Sequence, residues 1–386
     1  MDILLVGTMA LALAVATALG HVSANRGFPL ATGGRIGDLD GLRGYLAIFV
    51  MFHHFRIWLS YKAGLPWESP PIFFYIQLGK AGVGLFFMIT GCVFYPRILR
   101  GLSGNNWVGI YISRVFRIVP LLFATIMAVT VIIIAETSHR PDRHFPVEVL
   151  SWLAGKQIAL LGLESSYLIN AGVLWSIFYE WLFYILLLPL CAALRGLVGS
   201  KTWVVPAALL AIGLALQVTG RGIFQYAPLF AAGMLAYEAS TKPSVTALLR
   251  STPATIVALI CFGLAMSFFS NAYEPVPMAL LWLFFVCVAC GNSIFGLLKS
   301  RGALVLGEAS FSIYVMHGIV LHLAFRHLPL EQFPTLGLIA LTVAVTALSM
   351  LSFLALERPF IALGRRVSKA VAPRLPTLGG ANLARP

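Results

Sequence analysis

Apolar stretches of membrane-spanning length recur eleven times in this chain, and that repetition limits its fold more than any single motif. The first covers residues 3–20. The others cover 42–61, 79–96, 116–135, 172–193, 202–218, 224–240, 254–270, 276–291, 308–326 and 335–356. A hydrocarbon core about 30 Å thick takes roughly 17–25 helical residues, and in lipid each backbone N–H and C=O must be satisfied within its own segment. Only helices meet both demands. Composition agrees, with 59% hydrophobic and 11% charged residues where soluble domains carry about 25% charged. The expectation is an all-α, polytopic membrane protein with a ten-helix core and one extra N-terminal transmembrane helix.

Residues 3–20 could also be the apolar part of a cleaved leader. Asp2 precedes them without any Lys or Arg, and Val22-Ser23-Ala24 is a poor cleavage site, so they are read as a retained helix. This helix and its linker take residues 1–35, the membrane domain 36–365, and a short basic tail 366–386. The longest connection, 136–171, is polar to His144 and amphipathic after it, which suits a helix lying on the surface. The chain beyond Phe360, basic and Pro-containing, is expected to be loosely ordered.

The formal charge of +13 does not indicate nucleic acid, because the cations are spread over the loops between spans. If the segment before residue 42 is cytoplasmic, 19 Lys and Arg lie on that side and 8 on the other. The positive-inside rule then puts the C-terminus in the cytoplasm and Met1 outside. The five cysteines fall in or beside apolar spans, and an odd number without framework spacing argues against structural disulfides. Cys287 and Cys290 form a lone CxxC within a span and are read as small buried residues.

Ionisable side chains deep in a bilayer are costly and face a cavity or a partner. Here they are His53, His54, Glu180, Glu238, His317 and His322. Arg43 precedes His54 by eleven residues. That spacing is about 20° past three full turns and a rise of roughly 16 Å, so Arg43 stands above His54 on one face near the midplane. His53 points about 80° away. Glu180 and His317 lie at similar depth, although helix-to-helix hydrogen bonding accounts for His317, Glu238 and His322 equally well. Arg114 and Arg117 share a helix face at the inner boundary. They serve either as membrane anchors or as a fork for phosphates, which Arg binds bidentately. Residues 79–84, GKAGVG, lack the GKS/GKT ending of a phosphate loop and are read as close helix packing.

DLDGLRGYLAIFVMFHHF, GVGLFFMITGCVFYPRIL, RVFRIVP, LWSIFYEWLFYILLLP, SFSIYVMHG and ERPF follow one another in this chain. In that order they resemble the acyltransferase 3 family, the integral-membrane O-acyltransferases that modify bacterial surface and secreted glycans and some small molecules. The family's Arg-x10-His motif falls on Arg43 and His54, its Arg-x-x-Arg motif on Arg114 and Arg117, and the Glu of its WSxxxE segment on Glu180. Many relatives have an acid where Gly84 stands, two Glu where Glu180-Trp181 stands, and Pro where Gly318 stands. The resemblance implies an acyl-CoA donor, acetyl-CoA being the simplest, and a bacterial inner-membrane location. The expected activity is acyl transfer to a hydroxyl of a membrane-presented carbohydrate or glycolipid, without a metal. His54 is the expected general base, Arg43 and Glu180 assist, and Arg114 and Arg117 hold the donor. The rival is a transporter with an intramembrane proton relay, against which the chain shows no internal repeat.

Overall fold

The apolar stretches fold as helices, and no strand occurs among the described residues. The structure is a computed structural model that describes residues 2–30, 37–218, 222 and 224–371. Its helices are α1 (Asp2–Asn25), α2 (Gly37–Lys62), α3 (Phe73–Leu99), α4 (Trp107–Glu136), α5 (Phe145–Leu153), α6 (Trp175–Leu182), α7 (Leu188–Leu194), α8 (Val204–Val218), α9 (Ala227–Ser240), α10 (Pro243–Leu249), α11 (Thr252–Phe268), α12 (Pro275–Ala289), α13 (Arg301–Glu308), α14 (Ser310–His327), α15 (Pro334–Ser352) and α16 (Arg358–Val371). Two single π-turns, Phe183–Leu187 and Phe353–Glu357, join α6 to α7 and α15 to α16.

Five of these helical runs among the described residues are long and apolar enough to cross a membrane. Two bent pairs, α10 with α11 at 71° and α13 with α14 at 70°, raise the number to as many as seven. The expected eleven spans are therefore not all self-sufficient. At about 1.5 Å per residue, α12 reaches only ~22 Å, and α2 carries Asp38, Asp40, Arg43, Arg56 and Lys62. Such elements hold their place by packing inside the bundle. α5 is the surface helix expected between residues 136 and 171, with Val147 and Leu150 exposed and Trp152 buried.

α2 sits at the centre, packed against α3, α13 and α14. Lipid gives helices no hydrophobic reason to associate, so small residues that let backbones touch decide the crossings. A Cβ on Gly307 would strike the Asp40 carbonyl, fixing α13 on α2. A Cβ on Gly91 would strike the Phe230 carbonyl and one on Gly233 that of Met88, fixing α3 on α9. α1 turns Leu5, Met9, Ala12 and Ala16 inward, and Gly302 of α13 meets its Thr17 carbonyl. The small residues of 79–84 also pack as expected: Gly82 faces Val50 of α2, and Gly79 leaves room for the His53 ring.

The end of the chain departs from expectation. α15, its π-turn and α16 continue without a gap to Val371, so residues 361–371 are helical where a loosely ordered tail was expected. Apolar residues on one side of α16 seat it on α4, which orders the segment. Residues 372–386, with Arg374 and Arg385, lie outside the described residues, as do Arg35 and Arg221.

Gly91→Ala should lower the thermal unfolding midpoint of the detergent-solubilised protein, since overpacking costs about 1–3 kcal/mol. Gly263 has nothing within 4 Å, so Gly263→Ala should hold or raise the midpoint. Equal midpoints would show that the α3–α9 crossing does not depend on close backbone contact.

Candidate active site

Six cationic side chains from four helices converge on one cavity of about 970 Å³. Arg43 comes from α2, Arg97 from α3, Arg114 and Arg117 from α4, and Arg365 and Lys369 from α16; Asp40 and Glu180 add carboxylates. Arg114 and Arg117 are three residues apart and so project from one face of α4. The Arg114 guanidinium lies over the rings of Phe94 and Tyr184, 5.1 and 5.7 Å from their centroids, and stacking of that kind pre-orients the group. Tyr184 donates to Glu180 Oε1 at 2.6 Å. Arg43 pairs with Asp40 at 3.6 Å.

Two local devices shape this cavity. α16 lies on α4 because both helices are small at the contact: a Cβ on Gly364 would fall 2.6 Å from Phe116 Cβ, and one on Gly109 would fall 2.7 Å from Ser368 Oγ. This docking brings Arg365 and Lys369 into the lining of the cavity that Arg114 shares. The π-turns are the second device, since an extra residue in a helical turn re-aims the side chains that follow. One π-turn contains Tyr184. The other ends at Glu357, which is only 1% exposed, accepts a hydrogen bond from Ser312 Oγ, and leaves Oε2 without a hydrogen-bond partner.

Three histidines cluster beside the cavity. His54 Nδ1 lies 2.9 Å from Val50 O, His317 Nδ1 2.9 Å from Ile313 O, and His53 Nδ1 2.7 Å from Tyr75 O. A carbonyl oxygen only accepts, so each of these Nδ1 atoms carries the proton. His317 Nε2 lies 3.0 Å from His54 Nδ1 and is then the acceptor of that bond. His54 Nε2 keeps its lone pair. None of the three rings lines the large cavity; Tyr314, which does, has its ring centroid 6.2 Å from that of His317. Tyr314 donates to Val173 O at 3.0 Å, and its oxygen is 2.7 Å from Ser176 Oγ.

A family model described as an acyltransferase domain matches residues 36–356, from just before α2 into the second π-turn. The chain belongs to the acyltransferase 3 family. It is thus an acyltransferase and a multi-pass membrane protein. No curated protein and no solved structure matches it.

The fold of this acyltransferase brings Arg43, Arg114, Arg117 and Glu180 to one cavity, with His54 outside its lining, against His317. His53 turns to α3 against Gly79, as its rotation predicted. Glu238 and His322 serve as ties between helices: Tyr95 donates to Glu238 at 2.6 Å, and His322 and Arg326 both meet Glu136, at 3.3 and 3.1 Å. Cys287 and Cys290 are buried and free. The cavity also contains residues the motifs did not single out. Among them are Arg97, Arg365 and Lys369, of which the last two could have been found from their i,i+4 spacing on an amphipathic helix.

Gly109→Cys combined with Ser368→Cys should yield an α4–α16 disulfide on mild oxidation, because the two positions are in contact. Protection from maleimide labelling measures it. Full labelling after oxidation would mean that α16 does not rest on α4.

Proposed function

We propose that the protein transfers an acyl group, most simply acetyl, from acyl-CoA to a hydroxyl of a carbohydrate or glycolipid presented at the bacterial inner membrane. The observation that carries this reading is the cation-lined cavity beside a histidine pair in which His54 keeps its Nε2 lone pair. A volume near 970 Å³ is at the upper end for small-molecule sites, roughly 300–1,000 Å³. Five arginines among its lining suit the several phosphates of CoA, which the guanidinium fork engages in pairs.

Roles follow from depth. α2 is unbroken from Gly37 to Lys62, so Arg43 and His54 stand roughly 16 Å apart along one rod. They cannot both touch the thioester. Arg43, with Arg114 and Arg117, holds the phosphate end, and His54 acts at the acyl end. Glu180 holds Tyr184 and so backs the ring on which Arg114 rests. His54 Nε2 takes the proton of the acceptor hydroxyl as its oxygen bonds to the thioester carbonyl carbon. The carbon–sulfur bond breaks, and His54 returns the proton to the departing thiolate. Neutral imidazole suits this exchange near pH 7. The excess of cations in the inner loops supports a cytoplasmic donor side and a cytoplasmic C-terminus.

His54→Ala should lower acyl transfer by at least ~100-fold in membranes at matched protein levels, whereas His53→Ala should cost much less. An active His54→Ala protein would end this mechanism. Arg114→Ala should raise KM for acetyl-CoA roughly 10- to 150-fold, the worth of one charged hydrogen bond, and unchanged donor kinetics would return Arg114 to simple anchoring. A reporter fused after Pro386 should be cytoplasmic; an external signal would invert the topology.

A further inference from the structure

We infer that His317 is the positioning residue for His54: by accepting the Nδ1–H of His54 it holds that ring with Nε2 turned toward the reacting hydroxyl. The inference rests on the proposed role of His54 and adds what keeps that imidazole in place. The two residues are 263 positions apart in sequence, and their ring centroids are 5.1 Å apart.

His317 is fully buried at 0% exposure. Its Nδ1–H is spent on Ile313 O, and its Nε2 lone pair points at His54. It therefore has no nitrogen left for a substrate, and the one group it can serve is the neighbouring imidazole. His53 has no comparable place, since its ring is turned to α3 and held by the Tyr75 carbonyl.

A positioning group must itself be rigid, and α14 is pinned on both sides of His317. One residue after it, a Cβ on Gly318 would strike the backbone of Asn170. Three residues before it, Tyr314 is tied to Val173 and Ser176. Five before it, Ser312 holds Glu357. The chain turns by 70° between α13 and α14, and α14 then packs along α2.

The shared hydrogen bond gains strength when it matters. As His54 takes a proton at Nε2, its Nδ1–H becomes a cationic donor, and charge-assisted bonds are the stronger ones. The Val50 carbonyl lies on His54's own helix and cannot fix the ring relative to the rest of the bundle. His317, on another helix, can. A neutral imidazole here has the task that a carboxylate has beside other catalytic histidines.

The test compares His317→Gln, His317→Asn and His317→Leu in the full chain in native membranes, reading CoA-thiol release from acetyl-CoA at matched protein levels. Gln carries an acceptor to the place of Nε2; Asn is too short; Leu fills the space without an acceptor. The expected result is a kcat lowered roughly 10- to 100-fold for Asn and Leu, a usual loss when a partner that orients a histidine is removed. KM for acetyl-CoA should be unchanged and Gln should restore most of kcat. If Leu fails to fold, the contrast between Gln and Asn decides. Wild-type kcat in both Asn and Leu, or equal loss in Gln and Asn, would overturn the inference. His54→Ala measured beside them separates the two claims: if it is inactive while the His317 variants are unimpaired, only the positioning role falls, and if it is active, the role of His54 falls first.

Discussion

A polar side chain inside an apolar bundle has no water to bond with, and leaving it unpaired costs a few kcal/mol. Most of the functional architecture here answers that demand. Each of the three clustered imidazoles directs its Nδ1–H at a backbone carbonyl, His54 sharing that proton between Val50 O and His317 Nε2, and these bonds fix which nitrogen keeps its lone pair. Satisfying the group and directing its chemistry are one act. Arg114 is treated in kind, its charge spread over two aromatic faces in place of water.

Backbone contact is what makes these pairings possible. α2 bears more charge than a helix could carry alone in lipid, so it must be surrounded, and glycines at its crossings let α13 and α3 close on it. At Gly79 any side chain would occupy the space of the His53 ring and displace it. Gly318 does the same on α14, where Asn170 leaves no space for a Cβ. The families of contacts that hold the bundle and those that hold the site overlap at single residues.

Much of this was legible in the sequence. Helical periodicity set Arg43 above His54 and turned His53 aside, and both hold because α2 is continuous. Span length and hydropathy placed most helix ends within about five residues, although α3 and α4 start at Phe73 and Trp107 where 79 and 116 are expected. What periodicity along one helix cannot supply is which helices meet. The hydrogen bond from His54 to His317 joins residues 263 apart, and either reading of His317 was open until α14 was seen against α2. The π-turns were equally hidden, because the FYILL and FLALE segments read as ordinary helix and the extra residue leaves no compositional trace. α16 reads as part of a loose tail because it is short and basic, with four cations among its 14 residues, yet it needs only one apolar side to rest on α4.

The depth of His54 relative to the cavity constrains any mechanism. Tyr314 and Ser176, whose hydroxyl oxygens are 2.7 Å apart, line the cavity, while none of the three imidazoles does; the His317 ring centroid lies 6.2 Å from that of Tyr314. On the proposed mechanism, a donor whose phosphates rest on Arg43 and Arg114 must reach past the cavity lining to meet His54, roughly 16 Å further along α2. That separation follows from the order of side chains along α14, where Tyr314 precedes His317 by one turn.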